Sequence, residues 1–243
     1  MTLVGISPWL SEKAKESSVF SSFTVRTIFN NINCQDFVPV DKRVAREILG
    51  IHTNKKIVLT GAMDSKDYYK GFGNYLEAIR KLDKERVFLL FFGRLHDSEV
   101  NHLGFEWKNL GLLSNDILLK LAYSAADVLV APSLMEAFGK TIAESMACET
   151  PVVCFDATGP KDIVDHKING YKARLADSGD LCLGIEWVIG HPHYKDLCIQ
   201  ARQKALSTFD SSVIARQYVE LYQSVLDNIM PIDCKLVYKK NHI

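Results

Sequence analysis

The sequence has no excess of either charge and no long apolar segment. It contains 29 basic and 29 acidic residues in a chain of 243, and a net charge of zero offers no electrostatic footprint for nucleic acid. No apolar run approaches the ~20 residues that a helix needs to cross a bilayer. Residues 1–10 also lack the basic start and the long apolar stretch of a signal peptide. We therefore expect a protein with no nucleic acid partner and no secretion signal.

The sequence is equally poor in recognisable metal and hydrolase motifs. Its six cysteines are scattered, no two form a Cys-x-x-Cys pair, and no pair of histidines completes a zinc pattern. Walker A, Gly-x-Ser-x-Gly and His-Glu-x-x-His patterns are absent, which argues against the enzyme classes that depend on them. The cysteines lie mostly in apolar segments, and this placement predicts buried, reduced thiols in a cytoplasmic protein.

What the sequence does contain is an alternation of short apolar runs and helical patterns. The predicted strands cover residues 56–61, 86–93, 109–113, 127–131 and 151–155. Residues with helical spacing separate them, so the pattern predicts an α/β, Rossmann-like parallel sheet with helices on both faces. In such a sheet the carboxyl ends of the strands share one edge, and ligands bind there.

The two flanks of this pattern differ from its centre. Residues 1–40 hold two predicted strands, one predicted helix and a linker rich in turn formers, which is too little to bury a core alone. We interpret them as the remnant of a second domain with its linker. Residues 41–210 form the main domain in this interpretation, and residues 211–243 form a last helix and a tail. We interpret Asn169 and Gly170 as a turn, after which the chain is helical.

The most informative stretch follows the predicted strand that ends at residue 131. A loop carries Glu136, a glycine follows at position 139, and a predicted helix carries Glu144. The first N–H groups of a helix have no intrahelical partner, and together with the helix dipole they attract anions. Two carboxylates beside such a pole are suited to accept hydrogen bonds from hydroxyl groups on either side of a bound phosphate.

Further markers surround the two glutamates in the order of a known family. In sequence order they are Tyr123-x3-Asp127, Pro132-Ser133, Glu136-x-Phe138-Gly139-x4-Glu144, Ala147-Cys148-x2-Pro151 and Ile163-Val164-x5-Gly170-Tyr171. This set resembles the retaining glycosyltransferases of family 4, among the glycosyl transferases group 1. That family has the GT-B fold, in which two Rossmann-like domains flank a cleft. The resemblance implies that residues 41–210 bind a nucleotide-sugar donor, that residues 1–40 belong to the acceptor-side domain, and that the last helix crosses back toward it.

The resemblance also implies roles for individual side chains. Glu136 would contact hydroxyls of the donor sugar, and Glu144 would hold the ribose hydroxyls of the nucleotide. Lys70, which follows a predicted loop at Gly61, would be the cation on the diphosphate. Its chemistry fits that role, because a positioned ammonium stabilises the negative charge that develops on the leaving group. Glu136 and Lys70 are thus the predicted catalytic residues.

Backbone groups and the absence of a metal complete the implied site. The N–H groups of Phe138 and Gly139 would face the sugar, and those of Lys140 and Thr141 would face the diphosphate. The family needs no metal and no cofactor beyond the UDP- or GDP-sugar substrate, and the sequence contains no Asp-x-Asp pair. No side chain stands out as a covalent nucleophile activated by a base.

The implied reaction is sugar transfer with retention to a polysaccharide, lipopolysaccharide or glycolipid acceptor, in the cytoplasm and with peripheral contact at the inner membrane face. Two residues depart from the family pattern, because Ala62 stands where arginine is common and Glu149 where glycine is common. The sequence also lacks most of the acceptor domain, about one domain of ~150 residues. We therefore expect this chain alone to be inactive. The alternative is a truncated, catalytically silent nucleotide-binding or interaction module.

Overall fold

The computed structural model describes residues 1–95 and 97–229. The strands are β1 (Thr2–Gly5), β2 (Thr24–Thr27), β3 (Lys56–Asp64), β4 (Val87–Arg94), β5 (Glu106–Asn109), β6 (Val128–Ala131), β7 (Val152–Phe155) and β8 (Gly170–Ala173). The helices are α1 (Pro8–Glu16), α2 (Lys42–Ile48), α3 (Phe72–Ile79), α4 (Asp116–Ala125), α5 (Lys140–Ala147), α6 (Ser178–Ile189), α7 (Tyr194–Lys204) and α8 (Ser211–Ile229). The predicted tail after residue 229 lies outside the described residues.

Strands β3 to β8 form one parallel sheet in the order β5-β4-β3-β6-β7-β8. Side chains alternate between its faces, as the pleat requires: Ile57 and Leu59 enter one apolar cluster, and Val58 enters the other. Helices α4, α5 and α7 cover the first face, and helices α3 and α6 cover the second. The predicted Rossmann-like fold with helices on both faces is confirmed.

Two strands of this sheet differ from the prediction. The predicted strand at residues 109–113 is wrong, because β5 ends at Asn109 and Gly111 adopts a φ of +71°. β5 is polar because it is an edge strand, and it lacks the apolar run that marks a buried strand. The turn predicted at Asn169 and Gly170 instead leads into β8, which was missed because its four residues include only two buried ones.

The first 40 residues dock on the main sheet domain. β1 and β2 form a separate parallel pair, joined by α1. The backbone N–H of Trp9 in α1 donates to Asp162 over 2.9 Å. Further along, the ring of Phe29 lies 6.0 Å from that of Phe138 and 5.2 Å from that of Phe209, between ring centroids. The segment therefore packs against the loop that carries the candidate site. The predicted domain limits at residues 40 and 210 stay a prediction.

Helix α2 was not predicted, and a buried carboxylate holds it in place. Asp127, at the start of β6, accepts hydrogen bonds from Lys42 over 2.8 Å and from Arg46 over 2.7 Å. The same carboxylate accepts the backbone N–H of Ile57 over 2.8 Å. Asp127, one of the residues that carry the family resemblance, therefore has a structural role: it attaches α2 to the sheet. No helix in the described ranges is both long and apolar enough to span a membrane.

The backbone of Glu149, just after the end of α5, is in an unfavourable conformation for a residue other than glycine. It has a φ of +60°, in the left-handed region that favours glycine, and its side chain is exposed. We expect Glu149→Gly to raise the free energy of unfolding by about 1 kcal/mol, because glycine avoids the clash that a Cβ atom makes there. Urea unfolding measures the gain. Glu149→Ala keeps the Cβ atom, so an equal gain in that variant would trace the effect to the lost charge instead.

Candidate functional site

The candidate site is a cleft at the carboxyl ends of β3 and β6. From β3 the chain continues to β4 and β5 on one side of the sheet, and β6 to β8 lie on the other side. Crossovers that diverge from neighbouring strands leave a crevice at this point, which is where open α/β sheets bind ligands. The cleft has a volume of about 410 Å³. Six of the predicted site residues line it: Gly61, Lys70, Glu136, Lys140, Thr141 and Glu144.

Lys70 is held in the cleft by the turn that starts α3. It ends a 3₁₀ turn, and the next residue, Gly71, adopts a φ of +65°. A Cβ atom at Gly71 would lie 1.9 Å from the carbonyl oxygen of Pro132, so only glycine lets the loop after β3 approach the loop after β6 this closely. The result is an ion pair between Lys70 and Glu136, with Nζ 2.5 Å from Oε2.

The pair is only partly shielded from solvent. The side chains of Lys70 and Glu136 are 33% and 26% exposed, so a ligand in the cleft can reach both. Two predicted catalytic side chains with opposite charges are thus brought together. An anionic ligand competes with the Glu136 carboxylate for the three N–H donors of the Lys70 ammonium, and hydroxyl donors on the ligand can compensate the carboxylate.

The start of α5 presents backbone donors to the cleft. Gly139 is the N-terminal cap of the helix, with a φ of +109°. Within the described ranges, the N–H groups of Phe138, Gly139, Lys140 and Thr141 have no protein acceptor. The ring of Phe138 is buried against Phe209, 5.7 Å away between centroids, and this anchors the loop from behind. Phe138 and Gly139 are not among the residues whose atoms line the cleft. The arrangement suits an anion.

Glu144 lies one turn into α5 and is almost wholly buried, with 4% of its side chain exposed. Its Oε2 accepts a hydrogen bond from the hydroxyl of Tyr123 over 2.8 Å, and its Oε1 lies 3.3 Å from Nζ of Lys140. Burial raises the pKa of Glu144, although the hydrogen bond from Tyr123 and the Lys140 ammonium offset part of that rise. Lys140 itself is exposed. Because Oε2 is bound by the Tyr123 hydroxyl, Oε1 is the carboxylate oxygen with no hydrogen-bond donor as close as Tyr123.

The raised pKa of Glu144 gives a stability prediction. Below its ordinary pKa the carboxyl is neutral in both states, and as the pH rises through its folded pKa the buried charge destabilises the fold. We therefore expect Glu144→Gln to leave stability nearly unchanged at pH 4 and to raise it at pH 8. Urea unfolding at both pH values measures the difference. Glu149→Gln, an exposed change at the end of the same helix, is the control for the loss of one carboxylate.

Gly61 lies inside β3, which continues to Asp64 beyond the predicted strand end at Gly61, so the predicted loop begins later. It pairs with Phe92 of β4, and a Cβ atom at Gly61 would lie 2.3 Å from the Phe92 ring. A larger residue would displace that ring, which also lines the cleft. Ala62, where the family pattern favours arginine, also lies in β3. Its side chain lies outside the described residues.

One wall of the cleft was missed by sequence reasoning. It is formed after β4 and β5 by Arg94, Leu95, Leu112 and Leu113, with Leu119 from α4. The available signal was the leucine run at residues 110–113, which was assigned to a strand. The four leucines add apolar surface to a cleft that is also lined by polar side chains, and this combination suits a ligand with an apolar part and an anionic part.

A metal has no evident place in this cleft. Across residues 1–95 and 97–229, no three His, Cys, Asp or Glu side chains converge as metal ligands would. The predicted independence from metal remains a prediction.

Comparison with known proteins gives two curated relatives in the same class. The chain is 27% identical over 233 residues to an uncharacterised glycosyltransferase of Methanocaldococcus jannaschii, covering 89% of this chain and 59% of the relative. It is 26% identical over 174 residues to the N,N'-diacetylbacillosaminyl-diphospho-undecaprenol alpha-1,3-N-acetylgalactosaminyltransferase of Campylobacter jejuni, covering 67% of this chain and 43% of the relative. The chain therefore spans about half the length of these relatives.

Solved structures show the same fold. Sucrose-phosphate synthase from Thermosynechococcus elongatus superposes with a TM-score of 0.82 at 26% identity, covering 93% of this chain and 59% of that one. HepE of Anabaena, solved in complex with UDP and glucose, has a TM-score of 0.76 at 22% identity, covering 91% and 62%. Both neighbours have the GT-B fold. The family described as glycosyl transferases group 1 matches residues 54–191, which contain the whole cleft. The chain belongs to the glycosyl transferases group 1.

Proposed function

We propose that this chain is the donor-binding part of a retaining glycosyltransferase that uses a nucleotide diphosphate sugar. One observation carries the proposal: a cation, two carboxylates and the bare backbone donors of Lys140 and Thr141 share one cleft at the switch point of the sheet. Each of these groups in the cleft suits one part of a nucleotide diphosphate sugar. The diphosphate suits the start of α5 and Lys70, the sugar suits Glu136, and the ribose suits Oε1 of Glu144.

The nucleobase has a place in the same arrangement. The leucines after β4 and β5 form an apolar wall beside Lys70 and Glu144, and a planar base stacks on apolar surface more readily than on charge. UDP and GDP donors both remain candidates. HepE was solved with UDP and glucose, which supports testing uridine nucleotides first.

The proposed chemistry needs neither a metal nor a covalent intermediate. Lys70 is placed to neutralise charge on the leaving diphosphate, and such preorganised stabilisation lowers a reaction barrier without other reagents. Glu136 is paired with Lys70, and in this proposal its carboxylate accepts hydrogen bonds from sugar hydroxyls and does not attack the sugar. Retention then follows a front-face route in which the leaving phosphate helps to deprotonate the acceptor.

The acceptor side of the proposal rests on the relatives. The Campylobacter jejuni relative is named for a diphospho-undecaprenol acceptor, which supports a glycolipid, polysaccharide or lipopolysaccharide acceptor here. The proposal places the protein in the cytoplasm, with peripheral contact at the inner membrane face. Because β1 and β2 form a sheet of only two strands, we propose that transfer needs a further domain and that this chain alone transfers little or nothing.

Calorimetry with UDP, GDP, UDP-glucose and GDP-mannose tests the proposal on the chain as it stands. We expect binding of one nucleotide and its sugar, and loss of both in Lys70→Ala. Lys66→Ala is the matched control. Lys66 is an exposed lysine in the same loop as Lys70, and its side chain does not line the cleft. A folded chain that binds none of the four would reject the donor site and favour the silent interaction module.

A further inference from the structure

Thr158 holds an unfavourable backbone conformation beside the site. It follows β7 and has a φ of +50° and a ψ of −148°. A β-branched residue with positive φ is a true outlier, since its Cβ substituents crowd the backbone. Strain of this kind persists only where the surroundings impose it, and it clusters at functional sites.

The contacts of Thr158 lead directly to Glu136. Its hydroxyl oxygen accepts the backbone N–H of Glu136 over 3.3 Å. The next residue, Gly159, donates its own N–H to the carbonyl oxygen of Glu136 over 2.8 Å. Both polar backbone groups of Glu136 are therefore held by two consecutive residues from the neighbouring loop. No other side chain in the described ranges holds the Glu136 backbone.

Gly159 brings the two loops as close as backbones can come. A Cβ atom there would lie 2.4 Å from the carbonyl oxygen of Ala137 and 2.7 Å from Cα of Phe138. The loop after β6 thus rests on the backbone at residues 158–159. Rotation of this loop would move the Glu136 carboxylate away from Lys70, with which it forms the ion pair in the cleft.

We propose that Thr158 is a positioning residue that fixes Glu136 for the donor sugar, through a hydroxyl that glycine cannot supply. The inference rests on the proposed function for its use, because Glu136 is there the carboxylate that accepts sugar hydroxyls. The hydroxyl compensates for the strained backbone: it satisfies a half-buried N–H that would otherwise lack a partner. A glycine would relieve the strain and release the loop.

Three substitutions separate the hydroxyl from the backbone strain. Thr158→Ser keeps the hydroxyl, Thr158→Val keeps the β-branched shape without it, and Thr158→Gly removes both. Hydrogen exchange of the Glu136 amide is read in the free protein, together with urea unfolding. We expect the amide to exchange ~10-fold faster in the valine and glycine variants and at the native rate in the serine variant. The glycine variant should nevertheless unfold at higher urea.

The hydrogen bonds of Thr158 and Gly159 with the Glu136 backbone are called the clamp below. The affinities for UDP-glucose and UDP measure how much the clamp contributes to recognition of the sugar. We expect the ratio of the two affinities to fall ~5-fold in Thr158→Gly, the loss expected for one misplaced hydrogen-bonding group, and to recover in Thr158→Ser. Unchanged amide exchange in the glycine and valine variants would overturn the clamp, whatever the chain binds. An unchanged affinity ratio with faster exchange would overturn its role in sugar positioning. If the wild type binds GDP-mannose and GDP and not the uridine pair, the affinity ratio is measured with those two ligands. Wild-type protein that binds none of the four overturns the proposed function instead, and the exchange result still decides the backbone contact of Thr158.

Discussion

Replacing Lys70 with alanine should lower the affinity for nucleoside diphosphates and their sugars by ~100-fold. One charge-assisted contact to phosphate contributes about 1.5–3 kcal/mol. The loss here is expected at the upper end because of the ion pair. Lys70→Ala leaves Glu136 in the cleft without its cation, 26% exposed and close to the bound phosphates. The carboxylate then repels the anionic ligand, in addition to the contact that is lost.

The repulsion between Glu136 and the ligand can be tested separately from the lost phosphate contact. In Lys70→Ala/Glu136→Ala the repulsion is gone, so affinity for the free nucleoside diphosphate should recover in part, by several-fold. Calorimetry measures all the variants, and circular dichroism checks that each is folded. Lys66→Ala should bind like the wild type, because its exposed side chain is not part of the cleft. A Lys70→Ala chain that binds nucleotide normally would remove the diphosphate contact from the proposal.

Most of the sheet could be predicted from the sequence, because a buried strand is marked by a short apolar run within the strand itself. Apolar runs at residues 56–61, 86–93, 127–131 and 151–155 are long enough to mark buried strands, and the structure places β3, β4, β6 and β7 there. The edge strands were misread because each has a solvent-facing side and needs no apolar run. α2 was missed because Lys42 and Arg46 make it look like surface, whereas both are held by Asp127.

The site was readable only in part, because its key relations cross the chain. The family pattern selected Lys70, Glu136 and Glu144, and all three line one cleft. That Lys70 and Glu136 pair with each other depends on loops 66 positions apart that meet at Gly71. The strain at Thr158 has no sequence signal at all, since threonine is an improbable choice for a positive φ.

Replacing Glu136 with alanine should raise the affinity for a free nucleoside diphosphate while it lowers the affinity for the nucleotide sugar. In the unliganded chain Glu136 already binds Lys70, with Nζ 2.5 Å from Oε2. A phosphate that binds Lys70 must therefore compete with this carboxylate. A nucleoside diphosphate takes the ammonium but offers the carboxylate no donor in return. A nucleotide sugar takes the ammonium and supplies hydroxyl donors, so it satisfies both partners. On the proposed function, we therefore expect Glu136 to favour the nucleotide sugar over the free nucleoside diphosphate.

Glu144→Ala should act in the other direction, lowering both affinities by a similar factor. Its Oε1 faces the ribose part of the proposed ligand, which the free nucleotide and the nucleotide sugar share. We expect a several-fold gain for UDP in Glu136→Ala against a ~10-fold loss in Glu144→Ala, as hydrogen bonds to a charged group contribute about 1.5–3 kcal/mol. Calorimetry with UDP and UDP-glucose on both variants gives the four affinities. Equal losses of UDP binding in the two variants would reject this division, and with it the idea that Glu136 favours the nucleotide sugar over the free nucleotide.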